Sequence, residues 1–171
     1  MIKKLVNRFK TLFTNPRDNT SQASTRKKRR GGKSEPVDEA FIAWTSGTLD
    51  EMIDATNSKT HPVDRHFLLQ RIVEESYKLR KNEKFQNICL VYAEKHFNEF
   101  DGLAPALKKD MNGTLPRVSV FQNYATVLTE SGEYSHAIRV CEKAIKYQLH
   151  DGTKSGFVGR IKRIQKKINV P

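Results

Sequence analysis

Cysteine is nearly missing: the 171 residues include only Cys89 and Cys141. That excludes a disulfide framework, and no zinc-ligand spacing of Cys and His is present. Both read as small core side chains in a reducing compartment. Glycine and proline are also sparse, nine and six residues, which argues against a sandwich of short strands joined by tight turns. No apolar run approaches the about 20 residues that a membrane-spanning helix needs. No Gly-rich phosphate loop, GxSxG or HExxH pattern occurs. Five histidines stand at 61, 66, 96, 136 and 150, none in a His-x₃-His pair. The carboxylate pairs Asp38-Glu39 and Glu74-Glu75 are sequence neighbours, so on a helix they diverge by about 100° and do not converge as acid and base. The sequence therefore predicts no metal, no cofactor, no small-molecule substrate and no enzymatic activity.

Acidic residues are missing where the chain is most basic. Residues 1–37 carry eleven lysines and arginines against two acids, and residues 157–171 carry five against none. The stretch between carries fifteen against seventeen, so the formal net charge of +12 sits in the terminal segments. Such a distribution predicts basic tails that find an anionic surface, not a nucleic-acid-binding face on the folded body.

Residues 1–14 predict an amphipathic helix. Ile2, Leu5, Val6, Phe9, Leu12 and Phe13 make one stripe, with Lys3, Lys4, Arg8 and Lys10 off it. The combination suits an in-plane anchor on an anionic membrane, at the inner face of a membrane bounding the cytoplasm. Docking on a partner or on the chain's own domain, or service as a mitochondrial presequence, fits the same pattern, since no acid precedes Asp18. Residues 15–36 have no aromatic or large aliphatic side chain and predict a disordered linker. Within it Arg26, Lys27, Lys28, Arg29 and Arg30 form an unbroken cationic run. That run suits anionic lipid, the phosphates of a nucleic acid, a nuclear localisation signal or plain solvation.

The folded part, residues 37–171, predicts an all-α domain. Phe41, Ile42 and Trp44 mark a first short helix stopped by Gly47. Thr48 and Glu51 fit a capping box that opens a second. Pro62 suits the first turn of a longer helix to about Leu79, with Phe67, Leu68, Leu69, Ile72, Val73, Ser76 and Leu79 inward. Another helix is expected over 85–100, with Phe85, Ile88, Cys89, Tyr92, His96 and Phe100 in register. It should end at Asp101-Gly102, before a short helix over 103–110. From Val118 to Leu149 the pattern predicts two antiparallel helices turned at Ser131-Gly132-Glu133. Phe121, Tyr124, Ala125 and Leu128 make one face, and Tyr134, Ala137, Ile138, Cys141, Ala144 and Ile145 the other. A last helix, about 155–169, carries Phe157, Val158, Ile161, Ile164 and Ile168 and should cap the array.

The order Phe121, Tyr124-Ala125, Leu128, Gly132, Glu133-Tyr134, Ala137-Ile138, Ala144-Ile145 resembles a tetratricopeptide repeat. Ala125 stands where that family usually has Gly, and Leu149-His150 where it often has Pro. A degenerate second unit over 62–100 is similar, with Ile72, Ser76, Leu79, Phe85, Ile88 and Tyr92 at the apolar or small positions. The resemblance implies a short array of helix pairs, with the two first short helices and the last helix as caps. It implies a scaffold or adaptor that binds another protein, holding a peptide or helix in a groove lined by the first helix of each pair. Groove positions would be Gln70, Glu74, Tyr77, Arg80, Lys81, Ser119, Gln122, Asn123, Thr126 and Glu130. Asn123 falls where some members of the family use Asn to hold a peptide main chain or carboxylate. Membrane attachment through residues 1–14 is the alternative, and nucleic-acid association through the linker a second.

Overall fold

The structure, a computed structural model, describes residues 27–30 and 33–168. The chain divides into two units, Met1–Val37 and Asp38–Pro171. In the first, β1 (Lys27–Arg30) pairs antiparallel with β2 (Lys33–Pro36). The register sets Lys28 opposite Glu35 and Arg29 opposite Ser34. These two strands fall within residues 15–36, for which composition predicts a disordered linker; the rest of that stretch lies outside the described residues.

The second unit is helical throughout its regular structure. Its helices are α1 (Glu39–Ser46), α2 (Leu49–Ala55), α3 (Pro62–Lys78), α4 (Glu83–Asp110), α5 (Ser119–Glu130), α6 (Tyr134–Lys146) and α7 (Gly156–Ile168). Local signals start several of them. Asp38 Oδ1 accepts from Phe41 N at 2.8 Å. Thr48 and Glu51 form the expected capping box, with Glu51 Oε2 accepting from Thr48 N at 2.7 Å. Pro62 occupies the first turn of α3, behind His61. Gly132 turns α5 into α6 at φ +79°, a left-handed value that glycine adopts without strain.

Consecutive helices from α3 to α7 pack on one another, and α3 also packs on α5. Ala125, Ala137 and Ala144 are fully buried in the main core with Phe100, Phe121 and Tyr124. A smaller core joins Ala40, Ala43, Met52 and Ala55 of α1 and α2 to Leu68, Ile72 and Ile88. Trp44 stacks on Phe67, ring centroids 5.0 Å apart, and donates from Nε1 to Asp64. At the other end α7 buries Phe157 and Ile164 against the array.

Several expectations need correction. α4 does not stop at Asp101-Gly102; it runs unbroken for 28 residues and contains Pro105. Gly and Pro inside a helix cost about 1 and about 3 kcal/mol. Leu103, Ala104 and Leu107 continue the buried stripe of Cys89, Ala93, His96 and Phe100. Burying each leucine contributes about 1.5–3 kcal/mol, enough to carry the helix through. Leu79 was expected inward but is 52 % exposed at the end of α3. Ile145, Val158 and Ile168 are likewise exposed; Ile145 and Val158 each stand one position past a buried residue, Ala144 and Phe157, and so about 100° round the helix from it.

Candidate partner-binding face

The predicted groove residues fall on α3 and α5 or at the end of α3, and the fold brings many of them together, though largely to bond with one another. Ser119 N donates to Gln70 Oε1 at 3.2 Å, and Ser119 Oγ donates to Glu74 Oε1 at 2.6 Å. Arg80 grips Glu130 with two bonds of 3.0 and 3.1 Å, and its guanidinium lies 4.1 Å from the centre of the Tyr77 ring. The hydrogen bond from Arg80 is the first cause holding Glu130 below the usual carboxylate range. Arg160 of α7 donates to Thr126 Oγ1 at 2.9 Å while also pairing with Asp151. Thr126 itself donates to the Gln122 carbonyl. Three cross-links thus run α3 to α5 to α7.

Asn123 is not on an open face. It is buried at 6 % exposure, as is Ser119 at 9 %, which corrects their placement as residues lining an open groove. A helix of 3.6 residues per turn carries position 123 toward the same side as the buried Val120 and Val127. Lys81 is exposed beyond the end of α3, while Gln122 and Tyr77 are half-buried. The stripe and basic positions proposed within residues 1–14, and Arg26, lie outside the described residues. Lys27, Lys28, Arg29 and Arg30 are described only as the strand β1.

The sequence pattern places His96 in register on the inward face of its helix, and it is buried there; His66 and the pairing of the two rings were not expected. His66 and His96 are both fully buried, with His66 Nδ1 2.8 Å from His96 Nε2. Phe67, Phe100 and Phe121 surround the pair. The outer nitrogens, His66 Nε2 and His96 Nδ1, find no hydrogen-bond partner among the described residues. Burial pushes His66 down to about 4. His96 is also lowered, by burial first, then by His66 and by the Lys143 ammonium. The spacing carries the burial signal: His66 stands three residues before Leu69 and seven before Val73, and His96 seven after Cys89 and three after Ala93, on the buried side of each helix.

Comparison of the chain with family models, with curated proteins and with solved structures found no match. The function is therefore argued from the site alone.

The thiols of Cys89 and Cys141 are buried, which pushes each up to about 11. Among the described residues no three His, Cys, Asp or Glu side chains stand close enough to hold a metal ion. No helix among them is long and apolar enough to cross a membrane.

Proposed function

We propose that this chain is a tetratricopeptide-like binding protein, a non-enzymatic adaptor that holds a peptide or helix of another protein against α3, α5 and α7. The observation that carries the reading is the set of cross-links Ser119–Gln70/Glu74, Arg80–Glu130 and Arg160–Thr126. They fix alternate helices of the array beside one another, as a groove lined by first helices requires. The alanines at the α5–α6 contact allow the close approach that such an array needs.

The internal bonds narrow the surface left for a partner. Gln70, Glu74, Arg80, Ser119 and Thr126 hold the helices; Tyr77, Lys81 and Gln122 are the groups left to meet a ligand. A partner segment would meet the half-buried Tyr77 ring beside the Arg80 guanidinium that covers it, a cation at Lys81 and an amide at Gln122. A face this short offers few contacts, and only a well-fitted segment offsets the entropy of association.

A photoreactive residue at position 122 of the full chain tests the face, with one at the exposed position 142 of α6 as control. The expected outcome is a discrete protein adduct from 122, absent from 142 and reduced at least tenfold by Tyr77→Ala. Adducts equal from both positions, or none from 122, would remove the groove reading.

A further inference from the structure

Among the described residues, six lysines and arginines of the helical unit face a carboxylate, Lys78 by pairing with Glu75. Arg65 pairs with Glu99, Arg71 with Glu75, Arg80 with Glu130, Lys143 with Asp101 and Arg160 with Asp151. Many other cations are solvated singly, but in one region four exposed basic side chains gather around a single cleft. The loop between α4 and α5 and the loop between α6 and α7 enclose a cleft of about 730 Å³. Lys108, Arg117, Lys146 and His150 line it, and no aspartate or glutamate does. None of the four has an ion-pair partner within 4 Å among the described residues. Asp101, held below the usual carboxylate range by Lys143 first and by Lys146 to a smaller degree, is committed to Lys143 and to the Tyr147 hydroxyl, and Asp151, between His150 and Gly152, is committed to Arg160.

The backbone shapes this cleft. Gln148 adopts φ +55° and Gly152 φ +79°, and Gly113 on the facing loop φ +93°. A Cβ at Gly152 would lie 3.7 Å from Arg117 Nη2, so the guanidinium reaches across from one loop to the other. His150 Nδ1 accepts from Gly152 N at 2.9 Å. A neutral ring so held carries its proton on Nε2 and presents a donor. Arginine, two ammonium groups and this imidazole all donate; none of them offers a carboxylate to a cation.

We propose that the cleft between the α4–α5 and α6–α7 loops is a binding site for a small phosphate-bearing anion. Its volume lies in the range of about 300–1,000 Å³ common for small-molecule sites. The planar fork of Arg117 matches two oxygens of a phosphate, and Lys108 and Lys146 supply point charges that favour a group of more than one negative charge. The proposal is of binding alone; no aspartate or glutamate stands among the lining residues. The site uses none of the residues of the α3–α5–α7 face, so either assignment can fail alone.

The test is a titration of the isotopically labelled full chain with inorganic pyrophosphate, followed by amide resonances, with a nucleoside diphosphate and citrate as parallel ligands. The expected result is saturable shifts at Arg117, Leu149 and Gly152 with both phosphate compounds. The double variant Arg117→Ala/Lys146→Ala should weaken binding at least tenfold, with the rest of the spectrum unchanged. Lys84→Ala, which removes an exposed cation outside the cleft, should leave binding as it was. Shifts confined to residues 26–30, or a double variant that binds like the parent, would overturn the site. Equal or tighter binding of citrate would overturn the assignment to phosphate.

Discussion

His66 Nδ1 lies 2.8 Å from His96 Nε2, between α3 and α4, with neither ring exposed. Two neutral imidazoles joined this way share one proton in the hydrogen bond. The second proton then sits at one outer nitrogen and a lone pair at the other, whichever tautomer is chosen. Both outer nitrogens are buried and unpartnered among the described residues, so the pair accepts a further proton only at high cost. The cation nearest in effect is Lys143, which disfavours that proton still further.

The pair therefore makes stability depend on pH. The folded value of His66, about 4, lies below its ordinary 6.5. As pH falls from about 6.5 to about 4, the unfolded chain takes up protons that the folded pair refuses, so stability falls. The displacement of His66 alone corresponds to about 3 kcal/mol by the lower end of that window. Urea midpoints measured from pH 8 to pH 4 should hold nearly level to about pH 6.5 and then drop as pH falls further. The double variant His66→Leu/His96→Leu should flatten most of that slope, leaving the smaller share of His136, which burial also lowers. A slope unchanged in the double variant would contradict the assignment.

At pH 8 the same residues give a non-additive cycle. Leu in place of His66 alone strands the Nε2 of His96 without its partner, costing about 1–3 kcal/mol. Replacing both removes every unmet polar group at once. The double variant should be more stable than the sum of the two single losses implies, a coupling on the order of 1 kcal/mol or more. Denaturant melts of the four proteins measure it, and strict additivity would count against a bonded pair.

Gly47 and Gly102 should respond to alanine in opposite directions. A Cβ at Gly47 would sit 2.7 Å from the Ala43 carbonyl oxygen, which is backbone and cannot swing aside. Gly47→Ala should therefore destabilise, by about 1–3 kcal/mol. At Gly102, inside α4, a Cβ meets nothing within 4 Å, and Gly102→Ala should stabilise by about 0.5–1 kcal/mol. Thermal melts at pH 8 distinguish them by sign. A loss at Gly102 would mean that α4 needs its glycine there.

Ala125 and Ala137 are fully buried at the contact of α5 with α6. Ala125→Leu should cost about 1–3 kcal/mol by overpacking, seen as a lower urea midpoint. A neutral outcome would show a looser contact than the structure has.

Both thiols should be silent toward thiol reagents in the native protein. Cys89 and Cys141 are fully buried and raised to about 11, burial being the first cause in each. At pH 8 the thiolate fraction is small and access requires opening. Labelling by a chromogenic disulfide should follow the rate of unfolding and speed up as urea is added. Prompt modification of either cysteine would contradict its burial.

The residues by themselves determined whatever depends on neighbours a few positions apart. Thr48 and Glu51 cap α2, Pro62 opens α3, Gly132 turns α5 into α6, and the alanines mark a close helix contact, because each of these rests on backbone hydrogen bonds or on one helical face. Tertiary structure decided what depends on distant partners. α4 continues past Gly102 and Pro105 because Leu103 and Leu107 find a core to enter. Ser119 meets Gln70 and Glu74, and Arg80 meets Glu130, across 45 to 50 residues of chain, so groups that a linear pattern assigns to a partner are bonded within the fold. His66 and His96, 30 residues apart, are ordinary in sequence. They become a buried pair only when α3 and α4 close on each other, since no local pattern records which ring a histidine will face.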